Sequence, residues 1–152
     1  MRHWYLLISL FLLGSCAGPP APLEVKQFKM LNVEIDNSTD PMVRGEKQRR
    51  LFGAVSAAER VGRLGAYYTI LWHDPKGAGS GEVEVLFEYQ QGATASKVKH
   101  LSKRFGSAEA SGKVEFAIIG NDYAKQGRVL AWKTTLTRGG RVVATEKSHL
   151  WQ

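Results

Sequence analysis

A chain of 152 residues, 43% hydrophobic and 23% charged, has room for one folded domain and too much apolar character for wholesale disorder. Its 21 Lys and Arg against 14 Asp and Glu leave a net charge of +7, which favours anionic neighbours such as phospholipid head groups, cell-wall polymer or nucleic acid but fixes no fold. The single cysteine excludes an internal disulfide and a four-cysteine zinc site.

Arg2 supplies a positive leading region, Trp4 to Leu13 form an apolar run interrupted only by Ser9, and the small residues Gly14 and Ser15 follow. This is the order of a secretory signal, and the run falls well short of the roughly 20 residues that a spanning helix needs. At its end Leu13-Gly14-Ser15-Cys16 resembles the lipobox of bacterial lipoproteins. The resemblance implies a signal peptide over residues 1–15, cleavage before Cys16, and a diacylglyceryl thioether on that cysteine with acylation of the new amino group by palmitate-type chains. Two or three chains on one residue make a durable anchor, at about 0.8 kcal/mol per buried methylene. Ala17 and Gly18 stand where an inner-membrane retention signal would place Asp, so the same resemblance implies an outer-membrane lipoprotein facing the periplasm. Pro19, Pro20 and Pro22 make residues 16–22 a lipidated, semi-rigid tether. The competing reading is a conventional secretory signal with Cys16 as a leftover thiol.

Residues 23–152 read as one domain dominated by period-two alternation. Strands are expected over Glu24 to Ile35 and Gln48 to Val55, followed by one short helix opened by the Ser56/Glu59 capping box, apolar at Val61 and Leu64, and stopped by Gly65. A longer helix over residues 46–64 is the rival, weakened by Gly53. Next come Ala66 to Trp72 and Glu82 to Tyr89, where Val83, Val85, Phe87 and Tyr89 share one face. Ser96 to Lys103, as a strand or an irregular basic loop, and Lys113 to Ile119 follow. Gly127 to Trp151 reads as a hairpin around Gly139-Gly140, setting Leu136 opposite Val143, Thr134 opposite Thr145 and Trp132 opposite Lys147. Turn signals at Asp36-Asn37-Ser38, Asp74-Pro75, Gly77 to Gly81, Gly106 and Gly120-Asn121 separate the strands. About eight strands at regular spacing predict an all-β, antiparallel β-sandwich, with an immunoglobulin-like arrangement as one candidate. Tyr67 and Tyr68 point to opposite faces, so at most one of the pair is central to the core and the other is the expected exposed contact.

Chemistry is hard to place on this chain. His73, His100 and His149 fall in different segments, and no HExxH pair, G-x-S-x-G elbow or phosphate-binding P-loop occurs. Glu82, Glu84 and Glu88 share a strand face about 7 Å apart per step, a spacing that overlaps paired catalytic carboxylates but is also what a solvated face presents. No enzyme with a named mechanism, no cofactor and no metal site emerges, and a hydrolase ranks last among the readings.

Two basic clusters are the candidate contacts for an anionic ligand: Arg44, Lys47, Arg49 and Arg50, and then Lys97, Lys99, His100, Lys103 and Arg104. The implied periplasmic address argues against nucleic acid, and lysines on an edge strand also deter edge-to-edge aggregation. The aromatics Tyr67, Tyr68, Trp72, Tyr123, Trp132 and Trp151 either line a groove or fill the core. The functional expectation is a lipid-anchored, non-enzymatic interaction or structural module of the cell envelope with a protein partner. The alternative is a binder of anionic envelope components, phospholipid head groups or cell-wall polymer, through the basic clusters.

Overall fold

Alternating apolar residues make the strands, and burying them between two sheets makes the fold. The computed structural model describes residues 20–35, 40–94 and 96–152; the expected signal segment, Cys16, Pro19 and the Asp36-Asn37-Ser38 turn lie outside these. Among the described residues there are seven strands, β1 (Leu23–Met30), β2 (Gly65–His73), β3 (Val83–Gln91), β4 (Lys99–Phe105), β5 (Ser111–Ile119), β6 (Val129–Arg138) and β7 (Arg141–Lys147). Three α-helices accompany them, α1 (Pro41–Leu51), α2 (Ala57–Val61) and α3 (Gly120–Gln126).

Every strand pairing is antiparallel, in a three-stranded sheet of order β1-β2-β5 and a four-stranded sheet of order β4-β3-β6-β7. This is the strand order of an immunoglobulin-like sandwich whose fourth strand pairs with the third instead of the fifth. Between the sheets, Tyr68, Ile70 and Trp72 of β2 meet Val83, Val85 and Phe87 of β3 together with Phe116, Ile118 and Leu136. The rings of Tyr68 and Phe87 lie 4.6 Å apart, and Phe116 stacks on Phe87 at 5.7 Å. Each such side chain contributes about 1.5–3 kcal/mol by leaving water.

Register gives the sandwich two distinct ends. Leu23, Trp72 and Gly112 lie side by side at one, the N-terminal end, and Met30, Gly65 and Ile119 at the other, the helical end. At the N-terminal end Arg138, 3% exposed, spends all its N–H groups on loops. Its Nε donates to Asp74 Oδ2 at 2.7 Å, and its two terminal nitrogens donate to the carbonyls of Ser107 (3.0 Å), Glu109 (2.8 Å), Gly81 (3.3 Å) and Asp74 (3.5 Å). One side chain at the end of β6 thereby ties down the loops after β2 and β4.

Several expectations are corrected by the structure. Gln48 to Val55 is not a strand, because α1 occupies Pro41–Leu51; Asp40 caps it by accepting from the Met42 and Val43 amides, and Pro41 sits at its first turn. Nor is there one helix over residues 46–64, since α1 ends at Leu51 and α2 starts afresh behind the Ser56/Glu59 capping box, with Gly53 at φ +80° between them. Tyr67 is not exposed: it is 4% accessible because α1 lies over it. In the final hairpin Gly139 and Gly140 take φ +54° and +77°, as the two-residue turn requires. Its register nevertheless slips by one, pairing Leu136 with Ala144, Thr134 with Glu146 and Lys133 with Lys147. A bulge at Val143 supplies the extra residue and turns Ala144 toward the core.

Gly65 opens β2 at φ +147°, and the place a Cβ would take there is filled by the backbone of Ile118 and Ile119. A methyl there collides with the Ile118 carbonyl oxygen. Gly65→Ala is therefore expected to lower the urea midpoint by the equivalent of about 2 kcal/mol or more, and a loss under about 0.5 kcal/mol would show that the backbone relaxes freely at this point.

Candidate functional site

Two arrangements stand out against the sandwich, one that holds a helix and one that leaves a surface open. The first docks α1 on the outer face of the three-stranded sheet. Leu51 packs with Met30 and Tyr67, while Arg50, its side chain 4% exposed, lays its guanidinium 4.0 Å over the Tyr67 ring. Arg50 bonds to Glu46 at 2.8 Å and to Glu115 of β5, and Arg49 reaches the same two carboxylates at 2.7 and 3.2 Å. The Arg49 hydrogen bond, opposed by partial burial and reinforced by Arg50, takes the Glu46 carboxyl down to about 2. Burial pushes the Glu115 carboxyl up, and the hydrogen bonds from Arg50 and Arg49 outweigh it and hold it below the usual range. Lys47 donates to Asn32 Oδ1 and to the Glu34 carbonyl.

The second arrangement is at the helical end. Gln91, fully buried at the end of β3, donates to the Gly127 carbonyl at 3.0 Å and accepts from Lys99 Nζ at 2.7 Å, and Lys99 also pairs with Asp122 at 2.6 Å. These bonds hold α3 across the mouth of the sandwich. The Gly120 amide donates to the Leu64 carbonyl at 3.1 Å, which fixes α3 beside the segment following α2. Between the two helices runs a groove of about 540 Å³ walled by Leu31, Ala58, Val61, Leu64, Tyr123 and Ala124. A side cavity of about 180 Å³, sharing Leu31 and Tyr123, continues over Ala66 and Val129 to Lys29 and Arg128. Leu31 and Val61 are 69% and 55% exposed, and in the turn between α1 and α2 Phe52 and Val55 are each 86% exposed. Large apolar side chains gathered at one end of a domain signal a binding surface more than a random scatter does.

The candidate anionic-ligand contacts do not converge. Arg44, Lys47, Arg49 and Arg50 belong to α1 on the outer face of one sheet, whereas Lys99, Lys103 and Arg104 belong to β4, an edge strand of the other, with Lys97 just before it. Arg49, Arg50 and Lys99 are held in the ion pairs above, and Arg104 lies 3.4 Å from Glu84. Lys97 and Lys103 carry no ion pair among the described residues. His73 ends β2 opposite Ser111, His100 faces Glu88 on β4, and His149 lies in the C-terminal turn, so the histidines stay apart. Among the described residues no group of three or more His, Cys, Asp or Glu is placed to hold a metal ion. Glu88 pairs with Lys133 at 2.7 Å, and Lys133 in turn lies 5.3 Å over Trp151. Of the aromatics, Tyr68 and Trp72 are in the core, Trp132 packs edge-on to Tyr68, and Tyr123 lines the groove.

Lys29, Leu31 and Arg128 carry no signal of their own in the sequence, and Val61 reads there only as the apolar side of the short helix. They come from three distant segments, and Lys29 and Leu31 bear no local pattern other than that of a strand end.

Compared with protein-family models, with curated proteins and with solved structures, the chain matches none. Among the described residues no helix is long and apolar enough to cross a membrane.

Proposed function

We propose that the chain is a cell-envelope protein, held to the outer membrane by lipid on Cys16 and facing the periplasm, that acts without catalysis as an interaction module. The observation that carries this reading is the polarity of the domain. β1 enters at the N-terminal end, while the groove and its exposed apolar rim lie at the helical end where β1 finishes. Cys16 lies seven residues before Leu23, and a proline-bearing tether of that length leaves the helical end facing away from the bilayer. Engaged side chains in both basic clusters turn the preference from charge-driven capture toward the apolar end.

Two measurements on the full chain in bacterial envelopes test this. Labelled palmitate is expected to be incorporated into the unaltered chain and not into Cys16→Ser. A photo-crosslinking residue at Val61 is expected to form a discrete adduct that the same residue at Lys76, in the loop after β2, does not form. Absence of palmitate from the unaltered chain, or equal incorporation into Cys16→Ser, removes the anchor, and identical adducts from both positions remove the helical end as the contact surface.

A further inference from the structure

We infer that the groove between α2 and α3 takes an anionic amphiphile with a single acyl chain, and this inference deepens the reading of the helical end as the contact surface by naming what that end recognises. The acyl chain lies along Leu31, Val61, Leu64 and Ala124, and the head group meets Lys29 and Arg128. Three observations carry it. The groove is apolar, and its volume of about 540 Å³ falls within the range of about 300–1,000 Å³ typical of small-molecule sites. No charged side chain lines the groove, and the two that line its side cavity, Lys29 and Arg128, are both cations. Neither Lys29 nor Arg128 forms an ion pair among the described residues, unlike Arg49 and Arg50 of α1 and Lys99 of β4.

Chemistry separates this occupant from an apolar peptide. A docked peptide brings amide and carbonyl groups that need partners when water leaves, and the polar side chains lining the groove are those of Asn121 and Tyr123. An acyl chain needs none. Its head group, a carboxylate or a phosphate, accepts charge-assisted hydrogen bonds from an ammonium and a guanidinium at the lip.

The test uses the full chain reconstituted in phosphatidylcholine vesicles. The probes are a palmitic acid analogue carrying a diazirine in its chain and the corresponding alcohol, with adducts mapped by peptide mass. The acid is expected to label residues 57–64 and 120–128, at least about tenfold more than the alcohol, a ratio set by the two cations. Lys29→Gln with Arg128→Gln is expected to bring the two probes level. Ala124→Trp, at an exposed position, is expected to abolish labelling while leaving thermal unfolding unchanged. Competition by oleate alone assigns the head group as a carboxylate, and competition by lysophosphatidylglycerol alone assigns it as a phosphate. Equal labelling by acid and alcohol in the unaltered chain, adducts spread over the surface, or labelling that survives Ala124→Trp overturns the inference. A discrete protein adduct from Val61 without lipid labelling also overturns it, and leaves the interaction-module reading standing.

Discussion

Arg138→Met is expected to destabilise the domain by about 3–5 kcal/mol at neutral pH, the range for breaking a buried ion pair by removing one partner. The guanidinium is 3% exposed and bonds to the Asp74 carboxylate and to the carbonyls of Gly81, Ser107, Glu109 and Asp74 itself. Methionine fills much of the volume but donates nothing. Asp74 keeps the Gly77 amide on Oδ1 at 3.1 Å but loses its counter-charge, and the loop carbonyls are left facing apolar surface. Arg138→Lys is expected to recover less than half of the loss, because an ammonium offers three donors where the guanidinium offers five in a fixed plane. Urea unfolding followed by tryptophan fluorescence suits the measurement, since Trp72 lies 5.9 Å from the guanidinium carbon. A loss below about 1 kcal/mol for Arg138→Met would mean that water replaces the guanidinium at no cost and that the loops hold their own shape.

The second large effect concerns α1. Arg50→Ala is expected to cost about 3 kcal/mol at pH 7, less than a wholly buried pair because Glu46 and Glu115 keep 28% and 31% of their side-chain surface. The loss takes away the stacking on Tyr67 and the buried link between helix and sheet, leaving Arg49 on Glu115 as the exposed one. Acid should act through the same link. Glu46 titrates at about 2 in the fold against an ordinary value near 4.5, and Glu115 is also depressed. A carboxyl depressed by folding contributes stability that is complete above its unfolded value and is lost as pH falls through its folded value. The urea midpoint of the unaltered chain should therefore fall between pH about 5 and about 2. Arg50→Ala should show a flatter acid limb, and the difference between the two chains should shrink toward pH 2. Parallel acid limbs would show that the depressed carboxylates draw their stability from elsewhere. Hydrogen exchange gives an independent readout: amides of α1 should lose protection in Arg50→Ala while those of β3 and β6 keep theirs.

The helix that these bonds hold illustrates what local pattern conceals. α1 buries only Arg50 and Leu51, so it has no apolar stripe for periodicity to detect. Its start was nonetheless written in Asp40-Pro41, a capping residue before a proline at the first turn, and that signal outweighs the β-branched and aromatic residues at Phe52 and Val55. Tyr67 and Tyr68 show the same limit from the other side. Strand alternation assigns them to opposite faces correctly, but whether an outer face meets water depends on what is laid over it, and here that is α1.

The places of the seven strands, though not the absence of one over Gln48 to Val55, the alternation of β3, the Gly139-Gly140 turn and the Ser56/Glu59 capping box were determined by the sequence itself, because each depends on interactions within a few residues: a two-residue side-chain period, tolerance of positive φ, and a hydroxyl reaching an amide one turn away. The tertiary structure alone decided the rest. Sheet order assigned β4 to β3, and the one-residue slip at Val143 followed from turning Ala144 inward. Arg50 found Glu115 across 65 positions and Arg138 found Asp74 across 64, while the groove assembled its walls from residues near 30, 60 and 125. Ion pairs and cavities are properties of distance in space, and sequence separation carries no information about that distance until the sheets have closed.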